Sequence, residues 1–381
     1  MESRVFRVSR PMHNSTAGHQ ADEAPPPPPA SDAEPPYLPW PEVRRIAFLC
    51  RPYLGDFVLT LPAVQYCRRV CPQAEITLYG YPAHHALLPY LTGFDHFVTL
   101  NSKRPQVTTQ LLAAWRGRSK RFDVAIDTKD NPSRGGAFFL RCLGARYRVA
   151  YTHPDTSRRL VNWGVPYEPS RKTDSHYAAK VLRLVSGRRQ EVDTSLYPRL
   201  TLPATIGAQL SGEQARGLHG LSRATPILLI SASINRHDSF FGCDGYSTLL
   251  NQAYQEQPFS VLVSCLPADV DKAKRIVEHL DMPSVVMITT RLDQFLAVLS
   301  AVDVCLVGDG GIMHLAAALD KPQVVLFGRT SPVEWFPLSN KAVCLFDPNS
   351  VTNLAAEDIL AALRGVLEKN VKRPPLSLST P

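Results

Sequence analysis

Two glycine–aspartate turns, about 250 residues apart, carry the residue types that phosphate and proton chemistry require. In the first, Ile46-Ala-Phe-Leu-Cys-Arg-Pro-Tyr-Leu-Gly-Asp56-Phe-Val-Leu-Thr-Leu-Pro-Ala63, an apolar run breaks at Gly55-Asp56 and resumes as an apolar helix. In the second, Val304-Cys-Leu-Val-Gly-Asp-Gly-Gly-Ile-Met-His-Leu-Ala-Ala-Ala-Leu319, the break is Gly308-Asp309-Gly310-Gly311, with His314 in the first helical turn. A buried strand feeding a helix start leaves backbone N–H groups pointing at whatever lies beyond the strand, a ready anion site. At Gly310-Gly311 those groups are free to meet a donor phosphate without side-chain obstruction, and Ile312, Met313 and His314 complete the turn. Asp309 orients a ligand hydroxyl or braces the turn, and as a bare helix it would cap its start. His314 either donates to the phosphate or packs on the neighbouring loop. Asp56 is placed as a general base for a hydroxyl, work that needs contact geometry more than an extreme pKa; N-capping is the plainer role. Gly55 lets the backbone approach an acceptor.

At 381 residues, with 44% hydrophobic and 20% charged, the chain reads as two globular domains. A net charge of +8 favours anionic partners. The densest cations are Lys103, Arg104, Arg116, Arg118, Lys120 and Arg121, in the first half, either a solvated face or an acceptor surface. They form no long stripe, and no nucleic-acid partner is expected. The 8 cysteines include no Cys-x-x-Cys pair, and Cys50, Cys265, Cys305 and Cys344 sit inside apolar runs, so a reducing compartment fits. With no signal-like apolar segment and no run near membrane-spanning length, the expected location is the cytoplasm, with at most peripheral contact with the inner membrane face.

The elements that must hold these turns alternate. Residues 1–42, with prolines at 25–29, 35, 36, 39 and 41, read as a disordered proline-rich tail. From 43 to 215, strand-like runs (Ile46–Cys50, Ile76–Tyr79, Phe97–Leu100, Val124–Ile126, Arg148–Tyr151) alternate with helical ones (Val58–Val70, His84–Leu91, Thr108–Trp115, Gly136–Leu143, Ser175–Ser186). The pattern restarts over 216–350, and 351–381 supplies a closing helix and tail. The fold class is α/β: two doubly wound, mainly parallel sheets, with ligands beyond the carboxyl ends of the strands. Both turns fall at such ends.

The residues resemble glycosyltransferase family 9, the ADP-heptose:lipopolysaccharide heptosyltransferases, over about Arg44 to Leu367. The resemblance rests on Tyr53-Leu-Gly-Asp-Phe-Val-Leu-Thr-Leu-Pro62, on Asp309-Gly-Gly-Ile-Met-His-Leu-Ala-Ala-Ala-Leu-Asp-Lys-Pro322, and on Val325-Leu-Phe-Gly-Arg-Thr330 with Trp335-Phe-Pro337. Smaller echoes are Phe122-Asp-Val-Ala-Ile-Asp127 and Leu143-Gly-Ala-Arg146. It implies a GT-B fold, two Rossmann-like domains facing a cleft, with Asp56 as the base and Thr330 on the donor side. Two positions depart from the family pattern. The lysine usual after the first strand of the second domain is absent from Ser231-Ala-Ser-Ile-Asn-Arg-His-Asp-Ser-Phe-Phe-Gly-Cys-Asp244, where Arg236 or His237 can supply the charge; the usual threonine of Asp-Thr-Gly is Gly310. On the acceptor side, Lys129 and Arg134, beyond the Asp127 strand, offer charge to a carboxylate or phosphate.

The resemblance implies an inverting transferase that moves a sugar, heptose from ADP-heptose, to a lipopolysaccharide-type or other anionic glycan or glycolipid. No Asp-x-Asp lies in either turn, so no metal and no cofactor is expected. A GT-B sugar-nucleotide epimerase or phosphorylase and a non-catalytic nucleotide-sugar-binding homologue are the alternatives. No Gly-x-Gly-x-x-Gly follows the first strand, which disfavours a dinucleotide oxidoreductase.

Overall fold

A computed structural model describes residues 4–6, 38–100, 106–169, 173–221, 225–234 and 236–370. Within the segment expected to be tail, β1 (Arg4–Phe6) pairs antiparallel with a strand of the second domain, and Leu38 and Trp40 are buried. The domain's packing thus begins before residue 43. The proline run at 25–29, the cations Lys103 and Arg104 and the end of the chain after 370 lie outside the described residues.

The first domain is a parallel sheet of β2 (Arg45–Leu49), β3 (Glu75–Gly80), β4 (His96–Thr99), β5 (Val124–Asp127), β6 (Tyr147–Thr152) and β7 (Trp163–Pro166), in the order β4-β3-β2-β5-β6-β7. Alternate side chains of β2 point to opposite layers. Ile46 and Phe48 meet α1 (Leu54–Val70), while Ala47 joins the layer under α2 (Gln106–Gly117) and α3 (Arg134–Leu143). α2 and α3 pack side by side; a Cβ on Gly117 would come within 2.7 Å of the Leu143 side chain. The fourth helix, α4 (Tyr177–Ser186), lies on α1. In place of His84–Leu91, expected as one helix, the chain makes two short 3-10 turns, Pro82–His84 and Leu88–Tyr90, each with a proline in its first two positions. β7 escaped the alternation reading because its four residues, ending in Pro166, make a proline-tolerant edge strand.

The second domain carries α5 (Gly212–Gly220), β8 (Ile227–Ser231), α6 (Cys243–Glu256), β9 (Ser260–Cys265), α7 (Val270–Val277), β10 (Ser284–Ile288), α8 (Leu292–Ala301), β11 (Val304–Gly308), α9 (Gly311–Ala318), β12 (Gln323–Phe327), α10 (Pro332–Trp335), β13 (Ala342–Phe346) and α11 (Ala356–Asn370). Its sheet order is β1-β13-β12-β11-β8-β9-β10, parallel apart from β1. Residues just before 215 contact both domains, the Thr201 N–H donating to Tyr90 O at 3.0 Å. The turn Ala204–Gln209 packs on α8 and α5 on β10, while the Leu200 N–H already donates to Ala318 O at 2.9 Å. Capping Ser211, whose hydroxyl accepts from Gln214, starts α5 locally.

Side chains from both domains, among them Phe48, Phe57, Val307 and Phe327, form one continuous core. A second set of contacts joins α4 to the segment around α10. Lys180 Nζ meets Glu334 Oε1 at 2.5 Å with both side chains buried, His176 Nε2 donates to Phe336 O at 2.9 Å, and Tyr177 stacks on Trp335. No helix among the described residues is long and apolar enough to cross a membrane.

Candidate active site

The two glycine–aspartate turns converge on one cleft of about 750 Å³ between the domains. One wall is the start of α1, with Pro52 to Asp56; the opposite wall is Val307 to Ile312 at the end of β11 and the start of α9. The helix starts touch. A Cβ on Gly55 would lie 2.9 Å from His314 Cδ2, and one on Gly311 would lie 3.7 Å from Leu54 Cβ and 3.9 Å from Gly55 N. Gly55 is therefore required by packing against His314, before any acceptor is considered. Gly310 is different: its backbone is extended, and a Cβ there would meet nothing within 4 Å. The fold itself asks for no glycine at 310 and tolerates a side chain at 311, so the bare backbone facing the cleft is left for ligand approach to explain.

Asp56 sits in the first turn of α1, three residues after the capping position, Tyr53, whose side chain makes no cap bond. The N-cap role is thus not its own. Burial pushes its carboxyl up to about 6, with Arg51 pulling it down and Asp130 pushing it up. Asp127, fully buried one strand away, is also pushed up to about 6 by burial, opposed by the Lys129 N–H it accepts.

Asp309 braces its turn. It is buried, and its carboxylate accepts from Arg236 Nη1 at 2.9 Å and from the Thr330 hydroxyl. Burial raises its pKa while those two partners hold it down. Arg236 stands in the loop where the family lysine was absent, half-exposed and lining the cleft, so a cation does occupy that position. Two glycines assigned no role of their own from the sequence, Gly308 and Gly328, hold this loop down. A Cβ on Gly308 would meet Ser239 O at 2.3 Å, and one on Gly328 would meet Asp238 O at 2.4 Å. His314 is buried between the helix starts and lines the cleft; burial drops its pKa to about 3, so it is neutral at pH 7, and its Nδ1 has no partner among the described residues.

Ile312 lines the cleft, but Met313, expected beside it, is fully buried in the core and does not. α9 is apolar nearly all round, so its sequence shows no preferred face. Thr330 stands behind Asp309. Lys129 and Arg134 follow β5 outside the lining of this cleft, on the same carboxyl edge of the sheet, where Asp127 pairs with Leu49 of β2. The farther wall is Ser231, Ser233, Leu266, Thr289 to Leu292 and Phe295, with Trp335 of α10; of these the sequence singles out only the segments around Ser231 and Trp335, with no role for either residue. Thr289 to Arg291 lie at the carboxyl end of β10, a position that the strand-end rule flags. An Asp-x-Asp does approach this wall, Asp269-Val-Asp271, but Asp269 accepts from Ser233 Oγ at 2.8 Å and Lys272 Nζ at 2.6 Å.

The sequence pattern of glycosyltransferase family 9 (heptosyltransferase) matches residues 114–361. The chain belongs to that family. Among curated family proteins, lipopolysaccharide heptosyltransferase 2 of Salmonella typhimurium and its Escherichia coli counterpart are each 45% identical over 53 residues, a segment spanning 14% of this chain and 15% of theirs. Full-length likeness is structural. A glycosyltransferase family 9 structure from Veillonella parvula superposes with TM-score 0.72 at 15% identity, covering 85% of this chain and 97% of that one. The E. coli ADP-heptose heptosyltransferase II gives 0.66 at 18%, covering 85% and 98%. E. coli heptosyltransferase WaaC with ADP gives 0.63 at 16%, covering 84% and 99%. At these identities the likeness fixes the fold: GT-B, two Rossmann-like domains around this cleft.

Proposed function

We propose that this family 9 glycosyltransferase holds a nucleotide-diphosphate sugar, ADP-heptose, in the cleft and passes the sugar to an anionic glycan or glycolipid with inversion and without a metal. The observation that carries the reading is the meeting of two helix starts, one bearing Asp56 and the other the bare backbone of Gly310-Gly311. The pyrophosphate lies on the backbone N–H groups of the α9 start, where the helix dipole favours negative charge, with the Arg236 guanidinium beside it. Asp309 and Thr330 hold Arg236 and the turn in register. Asp56 takes the proton from the acceptor hydroxyl as its oxygen attacks the anomeric carbon; the bond from that carbon to the β-phosphate oxygen breaks, and ADP leaves carrying the electron pair. One displacement inverts the anomeric centre. Lys129 and Arg134 bind acceptor charge on the neighbouring strand end. The fold likeness to WaaC solved with ADP and with an ADP-2-deoxy-2-fluoro heptose supports an adenine nucleotide donor.

The test is a thermal melt with ADP, GDP, UDP and CDP. ADP selectively raises Tm, because a ligand bound only by the folded state stabilises it. Gly311→Val removes that shift while keeping a cooperative melt, since a Cβ there has ordinary room. A well-folded Gly311→Val protein with an unchanged ADP shift sinks the phosphate assignment.

A further inference from the structure

The surface of the first domain formed by α2 and α3 has a composition that the cleft does not use. From His96 to Phe122, and again from Asn131 to Pro154, the sequence contains no Asp or Glu. On α3 the outward stripe at i, i+4 and i+7 is Arg134, Phe138 and Arg141. On α2 it is Leu112, Trp115 and Arg116, while Ala114 between them is fully buried. Trp115 is 66% exposed, Phe138 47% and Leu112 44%, which makes them three of the most exposed large apolar side chains among the described residues. Arg116, Arg118 and Arg141 have no carboxylate partner among the described residues. The two helices pack side by side on one layer of the sheet, so both stripes share an outer face, and Arg134 ties one end of it to the cleft edge.

Aromatic and leucine side chains standing among unpaired cations, with no acid in either stretch of sequence, suit an interface that is apolar within and anionic at its surface. We infer that the α2–α3 face docks on an anionic lipid bilayer, Leu112, Trp115 and Phe138 entering the headgroup region and Arg116, Arg118 and Arg141 meeting lipid phosphates. A nucleic acid would use the cations and stack on aromatic rings, but it gives Leu112 no place. The inference stands apart from the sugar-transfer reading, because it is scored without turnover. Its consequence for that reading is spatial: docking by this face brings Arg134 and the cleft edge toward a lipid-borne acceptor.

The experiment is sedimentation of the full chain with vesicles of phosphatidylcholine and phosphatidylglycerol at roughly 7:3, against pure phosphatidylcholine, at two ionic strengths. The wild type partitions onto the anionic vesicles, more weakly at high salt, and Trp115 emission shifts blue, as the difference from Trp115→Phe reveals. Arg116→Gln with Arg141→Gln lowers partitioning about 25-fold, roughly fivefold per cation. Trp115→Ser with Phe138→Ser lowers it at least tenfold. Both double variants melt like the wild type, because the altered side chains are exposed. Absence of binding to the anionic vesicles, or binding unaffected by either double variant, overturns the inference. Salt-sensitive RNA binding, or self-association, that the same variants abolish while vesicle binding is untouched also overturns it by assigning the face to another occupant.

Discussion

Asp56 carries a charge that its surroundings resist. Its folded pKa of about 6 exceeds the ordinary 3.8, so the fold binds this proton more tightly than the unfolded chain does. The stability this contributes is full below about pH 3.8 and is lost as pH rises through about 6, so at neutral pH the ionised residue is a cost of order 1–3 kcal/mol. A base must be ionised to accept a proton, so the same shift places the acid limb of kcat/KM near pH 6. Asp56→Asn removes base and charge while keeping shape. It lowers transfer by about 10²-fold or more, abolishes the acid limb, leaves the ADP melting shift in place, and raises Tm at pH 7 but not at pH 4. Turnover near the wild-type rate would return Asp56 to a purely structural role. Residues of this kind were legible in the sequence because a glycine and an acid between a strand and a helix are a local signal. Met313 was not: on a helix that is apolar all round, only tertiary contact decides which side chain turns inward.

At the scale of elements, the junction between α4 and α10 decides how the cleft walls meet. Lys180 and Glu334 form a buried pair 2.5 Å apart, flanked by the His176 bond to Phe336 O and the Tyr177–Trp335 stack. Trp335 also lines the cleft, so the junction and the donor wall share a side chain. Removing one member strands the other charge away from water, which costs about 3–5 kcal/mol, whereas replacing both with apolar groups of similar size is close to neutral. Lys180→Met therefore lowers the denaturation midpoint sharply, and the Lys180→Met/Glu334→Leu double variant recovers only part of it, because Asp130, 3.9 Å from Lys180 Nζ and little exposed, loses its cation in both. A single variant as stable as the wild type would show that the pair is hydrated and contributes nothing. None of this could be read from the sequence, where Lys180 and Glu334 stand in unrelated helices 154 positions apart. The contacts of the connector escaped for a related reason: the turn at Ala204–Gln209 and α5 are too short and irregular for periodicity to show which sheet they cover.

For the whole molecule, one core drawn from both sheets makes acid stability a shared property. His84 lies beneath α1, His176 at the α4–α10 junction and His314 between the helix starts; burial drops their pKa values to about 4, 4 and 3. A histidine depressed in the fold contributes stability that is full above its unfolded value of 6.5 and is lost as pH falls toward its folded one. The Asp56 and Asp127 carboxyls, raised to about 6, and Asp309, raised in the same direction, act with the opposite sign. The histidine shifts are the wider ones, and Asp95, Asp269, Asp293 and Asp347, held below the usual carboxylate range by hydrogen bonds and cations, add to the loss under about pH 4. Denaturant unfolding at pH 7, 6, 5 and 4 should accordingly show a single transition whose free energy falls with acid by of order 1 kcal/mol per pH unit. In the Asp56→Asn protein the fall is steeper, because one compensating carboxylate is gone. Stability rising steadily from pH 7 to pH 4 would mean that the raised carboxylates of Asp56, Asp127 and Asp309 outweigh the three buried histidines.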